Sequence, residues 1–107
     1  MKRGEEFYIQ KDIVLWTKAH HKDWVIFSCP NEATFRAKQY FSELGTLRGV
    51  SDLIVINADG IYFVECKAPK GRQSIEQRQF EADVQRFGYE YHIVHSLEEY
   101  KSRFNKN

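Results

Sequence analysis

Ser51-Asp52-Leu53-Ile54-Val55-Ile56-Asn57-Ala58-Asp59-Gly60-Ile61-Tyr62-Phe63-Val64-Glu65-Cys66-Lys67 is the stretch on which the fold turns. Two β-branched and aromatic runs flank Asn57-Ala58-Asp59-Gly60, whose residue types favour tight turns. Both runs are apolar on nearly every residue. That pattern belongs to strands covered on both faces rather than to a half-exposed hairpin. Loop parity then places the polar residues. With Ala58-Asp59 as the loop, Asp52 lies opposite Glu65. With Asp59-Gly60, the dipeptide favoured in a type I′ turn, Asp52 lies opposite Lys67 and Glu65 is diagonal. Either even loop puts Asp52, Glu65 and Lys67 on one face, and an odd loop splits them. Direct cross-strand neighbours sit about 5 Å apart and diagonal ones about 7–8 Å.

Before the hairpin, Glu5 to His20 carries Ile9, Ile13 and Trp16 at helical spacing, with acidic residues at the start where the helix dipole favours them. Trp24 to Ser28 reads as a strand, which Cys29-Pro30-Asn31 breaks. Glu32 to Leu44 is polar and ambiguous, with a helical second half that Gly45 is placed to end. After the hairpin, Ser74-Ile75-Glu76-Gln77 is a capping box opening a helix that runs to Phe87 and stops at Gly88. Phe80, Val84 and Phe87 form its expected inward stripe. Tyr89 to His95 reads as a strand, and Ser96-Leu97-Glu98-Glu99 as a second capping box opening a helix to about Phe104. The expected fold is an α/β mixed β-sheet flanked by helices, in the order α-β-(α)-β-β-α-β-α, with residues 1–107 as a single domain.

Composition bounds the function. The 107 residues carry 16 Lys plus Arg and 15 Asp plus Glu, a formal net charge of +1, so a polycation coating nucleic acid by bulk charge is excluded. Any contact with DNA must use a local patch. Cys29 and Cys66 form no CxxC, which argues against a disulfide scaffold or a cysteine-built zinc site. Neither an apolar signal core nor a spanning segment is visible, so a soluble, cytoplasmic protein without membrane contact is expected. Nothing implies an organic cofactor.

Two acids and a lysine at the ends of hydrophobic strands need a physical reason. Nearby carboxylates repel, and desolvation adds to that cost. One lysine offsets one charge. A hard divalent cation such as magnesium could offset the other, and with a lysine alongside it would form a phosphodiester-hydrolysis site. Solvated salt bridges at strand ends are the alternative.

These residues resemble the PD-(D/E)xK nuclease superfamily, and more closely the virus-type replication-repair nuclease domain, VRR-NUC. Gly49-Val50-Ser51-Asp52-Leu53, Glu65-Cys66-Lys67 and Gln77-Arg78-Gln79-Phe80 match its G-x-x-D-L, E-x-K and Q-x-x-F motifs in order. Glu6-Phe7-Tyr8-Ile9-Gln10 resembles its first-helix E-x-x-I-Q, and Pro30-Asn31-Glu32 its central loop. Ser51 stands where the superfamily name has Pro. The resemblance implies a Mg2+- or Mn2+-dependent nuclease in which Asp52 and Glu65 bind metal, with the Cys66 backbone carbonyl as a further ligand. It implies Lys67 as the catalytic lysine, Gln77 supporting the site from the next helix by orienting the lysine or the water, and Glu6 completing the acidic cluster. Stand-alone members of about this length resemble homodimers that resolve Holliday junctions, so branched DNA, repair or recombination, and a homodimer are expected. Flaps, ends or plain duplex are alternative substrates, and a non-catalytic nucleic-acid-binding module or a protein-interaction domain are alternative functions.

Helix geometry puts Gln77, three residues before Phe80, on the sheet side, although it is also the capping-box partner. Glu5 and Glu6 flank the apolar stripe almost equally, and only the resemblance selects Glu6. Lys70, Arg72 and Arg78 could grip phosphates beyond the site, or could form a solvated basic loop. Cys29 is expected to be a buried thiol, and the four histidines to be structural.

Overall fold

The computed structural model describes residues 4–29, 40 and 42–104. Helix α1 (Glu5–His20) leads to strand β1 (Val25–Ser28), then β2 (Leu53–Asn57), β3 (Gly60–Cys66), helix α2 (Ile75–Arg86), β4 (Glu90–Val94) and helix α3 (Leu97–Phe104). The strands lie in the order β1-β2-β3-β4. The first three are antiparallel neighbours, and β4 joins β3 in parallel through the α2 crossover. The architecture is the mixed sheet with flanking helices expected from the sequence. Pro30-Asn31-Glu32 and most of the 32–44 stretch lie outside the described residues.

The hairpin register pairs Leu53 with Val64 and Asn57 with Gly60, so the loop is Ala58-Asp59. A type I′ turn needs positive φ at both central residues. No described non-glycine residue has positive φ. Asn57 Oδ1 instead accepts from the Asp59 backbone N–H at 2.8 Å, closing the turn from its first residue.

Alternation divides the sheet into two faces. Leu53, Val55, Tyr62, Val64, Cys66 and Val94 point to one side and form the core with Ile13 of α1 and Tyr100 of α3. Within that core Thr17 donates to the Tyr100 hydroxyl at 2.9 Å, so the buried hydroxyls satisfy each other. The opposite face carries Phe63, Glu65 and Tyr91. Phe80 of α2 packs edge-on against Phe63 and Tyr91, with ring centroids 5.4 and 6.1 Å apart.

Three local expectations are corrected. Phe87 does not join the inward stripe: the helix ends at Arg86, and Phe87 is 69% exposed, with the Arg86 guanidinium over its ring. The second capping box is half formed. Ser96 Oγ accepts from the Glu99 backbone N–H at 3.1 Å, while the Glu99 carboxylate turns to His95 and Arg103. Cys29 is half-buried rather than buried, and its thiol is shifted up by that burial and by the charge of Asp52. No helix among the described residues is long and apolar enough to cross a membrane.

Candidate active site

The polar cluster sits at the carboxyl end of β3, where the parallel pair opens toward the start of α2. One step beyond Leu53–Val64, the register sets Asp52 opposite Glu65. The Cys66 backbone N–H donates to Asp52 Oδ2 at 2.7 Å, which ties the aspartate to the neighbouring strand. The Lys67 backbone N–H donates to the Val94 carbonyl at 3.0 Å, carrying the β3–β4 ladder one residue further. Lys67 therefore keeps strand alternation and shares its face with Glu65. Cys66 points the other way, into the core.

Glu65 is fully buried and Lys67 nearly so. Glu65 Oε1 accepts from Gln73 Nε2 at 3.1 Å and from the Tyr91 hydroxyl. Its other oxygen, Oε2, has no hydrogen-bond partner among the described residues, and Lys67 Nζ lies 3.5 Å away. The lysine donates instead to Gln77 Oε1 at 3.0 Å. Gln77 Oε1 also accepts from the Ser74 backbone N–H at 2.9 Å, while Ser74 Oγ accepts from the Gln77 backbone N–H at 3.1 Å. The capping box is complete, and its glutamine holds the lysine with the same oxygen.

Glu6 reaches this region from α1: its Oε2 accepts from the Ala68 backbone N–H at 3.2 Å. Gly71 lies against the same carboxylate, where an added Cβ would stand 3.0 Å from Oε2. Glu5 is exposed. Lys70, Arg72 and Arg78 are also exposed, on the loop and first turn beyond the cluster.

Burial dominates the electrostatics. It raises the Asp52 carboxyl above the ordinary carboxylate range. The hydrogen bond from Cys66 opposes the rise, Glu65 and Glu6 add to it, and Lys67 counters it. The Tyr91 phenol is pushed far up by burial and then by its bond to Glu65, so it remains a hydroxyl donor. Burial, followed by the charges of Asp52, Glu6 and Glu65, likewise keeps the Cys66 thiol protonated.

Three contributors escaped the sequence reading. Tyr91 and Gln73 hold Glu65, but the register of a parallel pair joined by a helix follows from no turn rule, and Gln73 lies in a loop. Gly49 is the third. At φ +85° its Cα meets the first turn of α2, and a Cβ there would stand 2.4 Å from the Glu76 carbonyl carbon and oxygen and 2.8 Å from the Gln77 nitrogen. Only glycine combines that conformation with that approach. The sequence signal is the glycine of Gly49-Val50-Ser51-Asp52, since an isolated glycine beside a strand marks a close backbone approach.

The VRR-NUC domain model matches residues 1–98. The chain belongs to the VRR-NUC domain family. A solved structure described as a VRR_NUC domain protein shares the fold, with a TM-score of 0.77 at 17% identity, covering 97% of this chain and 88% of that one. Among curated proteins none matches. VRR-NUC domains belong to a nuclease superfamily.

Among the described residues no three His, Cys, Asp or Glu side chains form a metal cage. Magnesium does not require one, since it usually takes one or two carboxylates and keeps several waters. The donor set fits such an ion. Both carboxylates are hard oxygen ligands, and the buried Glu65 Oε2 lacks a hydrogen-bond partner.

Proposed function

We propose that this VRR-NUC chain is a divalent-metal-dependent nuclease hydrolysing DNA phosphodiester bonds, with the cluster of Asp52, Glu65 and Lys67 as its active site. The observation that carries this reading is Glu65 Oε2, a fully buried oxygen without a hydrogen-bond donor among the described residues, on the face shared with Asp52 and beside Lys67. Lys67 offsets one of the two carboxylate charges, and a metal ion would offset the other and complete that oxygen.

Asp52 and Glu65 hold Mg2+ or Mn2+, with the Cys66 carbonyl available as a further oxygen ligand and Glu6 adding negative charge from α1. The metal supplies Lewis acidity toward the phosphate. Lys67 uses one N–H on Gln77 and faces Glu65 with another, which leaves a third to orient the attacking water or the phosphate oxygen. Gln77 fixes the lysine because its own oxygen is held by the Ser74 backbone. Lys70, Arg72 and Arg78 grip flanking phosphates, and such contacts position the backbone without reading sequence.

The preferred substrate in this reading is branched DNA, a four-way junction above others, processed in repair or recombination. Symmetric cutting of two strands calls for two sites related by a dyad, hence a homodimer. The α1 face and edge strand β1 expose Tyr8, Leu15, Val25 and Phe27, apolar area of the kind such a contact buries. Incubation of wild type, Asp52→Asn and Lys67→Ala with junction, flap and duplex DNA in magnesium tests the proposal. Metal-dependent cutting lost in both variants is expected. Cutting that survives Asp52→Asn, or binding of DNA without any cutting, overturns it.

A further inference from the structure

Glu65 is treated asymmetrically by its surroundings. Among the described residues Oε1 takes two donors, the Tyr91 hydroxyl and Gln73 Nε2 at 3.1 Å, while Oε2 takes none. The donors come from different elements. Tyr91 lies on β4, paired with Phe63 and therefore on the same sheet face as Glu65, and Gln73 lies in the loop just before α2. Tyr91 is itself 8% exposed and packed edge-on by Phe80, so its hydroxyl has little freedom to leave the carboxylate. A buried tyrosine normally finds any acceptor for its O–H. Here it has taken the carboxylate of the residue that the family motif marks.

We propose that Tyr91 is a positioning residue, assisted by Gln73: together they occupy Glu65 Oε1, lock the carboxylate plane, and leave Oε2 as the single oxygen through which Glu65 binds metal. The inference rests on the metal-dependent reading above. Hydrogen bonds to ligating carboxylates orient the ligand, and loss of such a partner typically weakens metal binding about 10–100-fold. One donor on Oε1 would let the carboxylate rotate. Two donors, one from β4 and one from the loop before α2, hold it in one plane.

The test is a manganese titration of the purified protein, with free Mn2+ read by electron paramagnetic resonance so that no catalysis is needed. Wild type, Asp52→Asn, Tyr91→Phe and Gln73→Met are compared, each first checked for a cooperative melt in EDTA. Wild type is expected to bind Mn2+, Asp52→Asn to bind far less, and Tyr91→Phe to bind about tenfold more weakly. DNA cleavage by Tyr91→Phe should return toward the wild-type rate at saturating Mn2+, which a merely structural defect would not allow. If Asp52→Asn loses Mn2+ while Tyr91→Phe keeps wild-type affinity, the positioning role is overturned and the metal site stands. If wild type binds no Mn2+, both fall. Should Tyr91→Phe fail to fold, Gln73→Met decides the matter in the same way: weaker binding supports the two-donor lock, and unchanged binding overturns it.

Discussion

Lys67 Nζ donates to Gln77 Oε1 at 3.0 Å, and that same oxygen caps the first turn of α2 by accepting from the Ser74 backbone at 2.9 Å. The lysine of one strand is thus fastened to a helix end rather than to another mobile side chain. Two substitutions separate the glutamine's roles. Ser74→Ala removes the side-chain cap and should cost about 1 kcal/mol of stability. It should leave cleavage nearly intact, because Gln77 still reaches Lys67. Gln77→Ala should cost a similar amount of stability and sharply reduce cleavage. Urea melts paired with rates on one DNA substrate check this, and equal activity in the two variants would argue against the lysine anchor.

Asp52 gives a pH prediction with a definite sign. Its folded pKa is raised, chiefly by burial. Its contribution to metal-free stability is therefore fully present below its unfolded value and is lost as pH rises through the folded one. In EDTA, Asp52→Asn should gain on wild type as pH climbs from about 4 toward neutrality, because the amide carries no charge to desolvate yet can still accept from Cys66. Melting temperatures of both proteins across that range measure the gap. A gap that narrows with rising pH contradicts the assignment. In manganese the order should reverse, since a ligand of the native state raises wild-type stability alone.

Gly49 and Gly88 form a matched pair, with φ of +85° and +87°. A Cβ on Gly88 meets open space, whereas one on Gly49 runs into the Glu76 and Gln77 backbone. Gly88→Ala should cost about 1 kcal/mol of backbone strain. Gly49→Ala should cost more, of the order of 2–3 kcal/mol. It should also lower cleavage, because the start of α2 must move and Gln77 moves with it. Chemical denaturation of the two variants, followed by activity assays, distinguishes strain from displacement.

Thr17 and Tyr100 join α1 to α3 by a buried hydroxyl pair on the core face of the sheet, opposite the face that carries Glu65. Tyr100→Phe leaves the Thr17 hydroxyl buried and unmatched, at a cost of about 1–3 kcal/mol, while Thr17→Val with Tyr100→Phe should recover most of that loss. Neither should change cleavage at a temperature where both are folded. A double variant no more stable than the single one would show that packing, not the hydrogen bond, sets the cost.

Much of this geometry was legible in the chain. Two aliphatic runs around Asn57-Ala58-Asp59-Gly60 called for a hairpin, and any even loop puts Asp52, Glu65 and Lys67 on one face, as the register of the pair requires. The choice between two loops was not legible, because dipeptide preference favoured Asp59-Gly60 while Asn57 closes the turn around Ala58-Asp59. Ser74 and Gln77 announced a helix start by spacing, but the bond from Lys67 to Gln77 depends on where α2 meets β3, which spacing does not encode. Tyr91 was invisible as a partner of Glu65, since a parallel pair closed by a crossover helix leaves register to tertiary packing. Phe87 misled for a simpler reason: apolar periodicity continued one residue past the end of the helix at Arg86, and Gly88, at φ +87°, turns the chain away there.

If Asp52 and Glu65 Oε2 grip one hard cation, as proposed, anomalous diffraction from a crystal soaked in manganese will locate it. A single manganese peak in contact with both carboxylates is the predicted result. A soaked crystal with no peak there, or with manganese bound elsewhere and Glu65 Oε2 still untouched, would contradict the account.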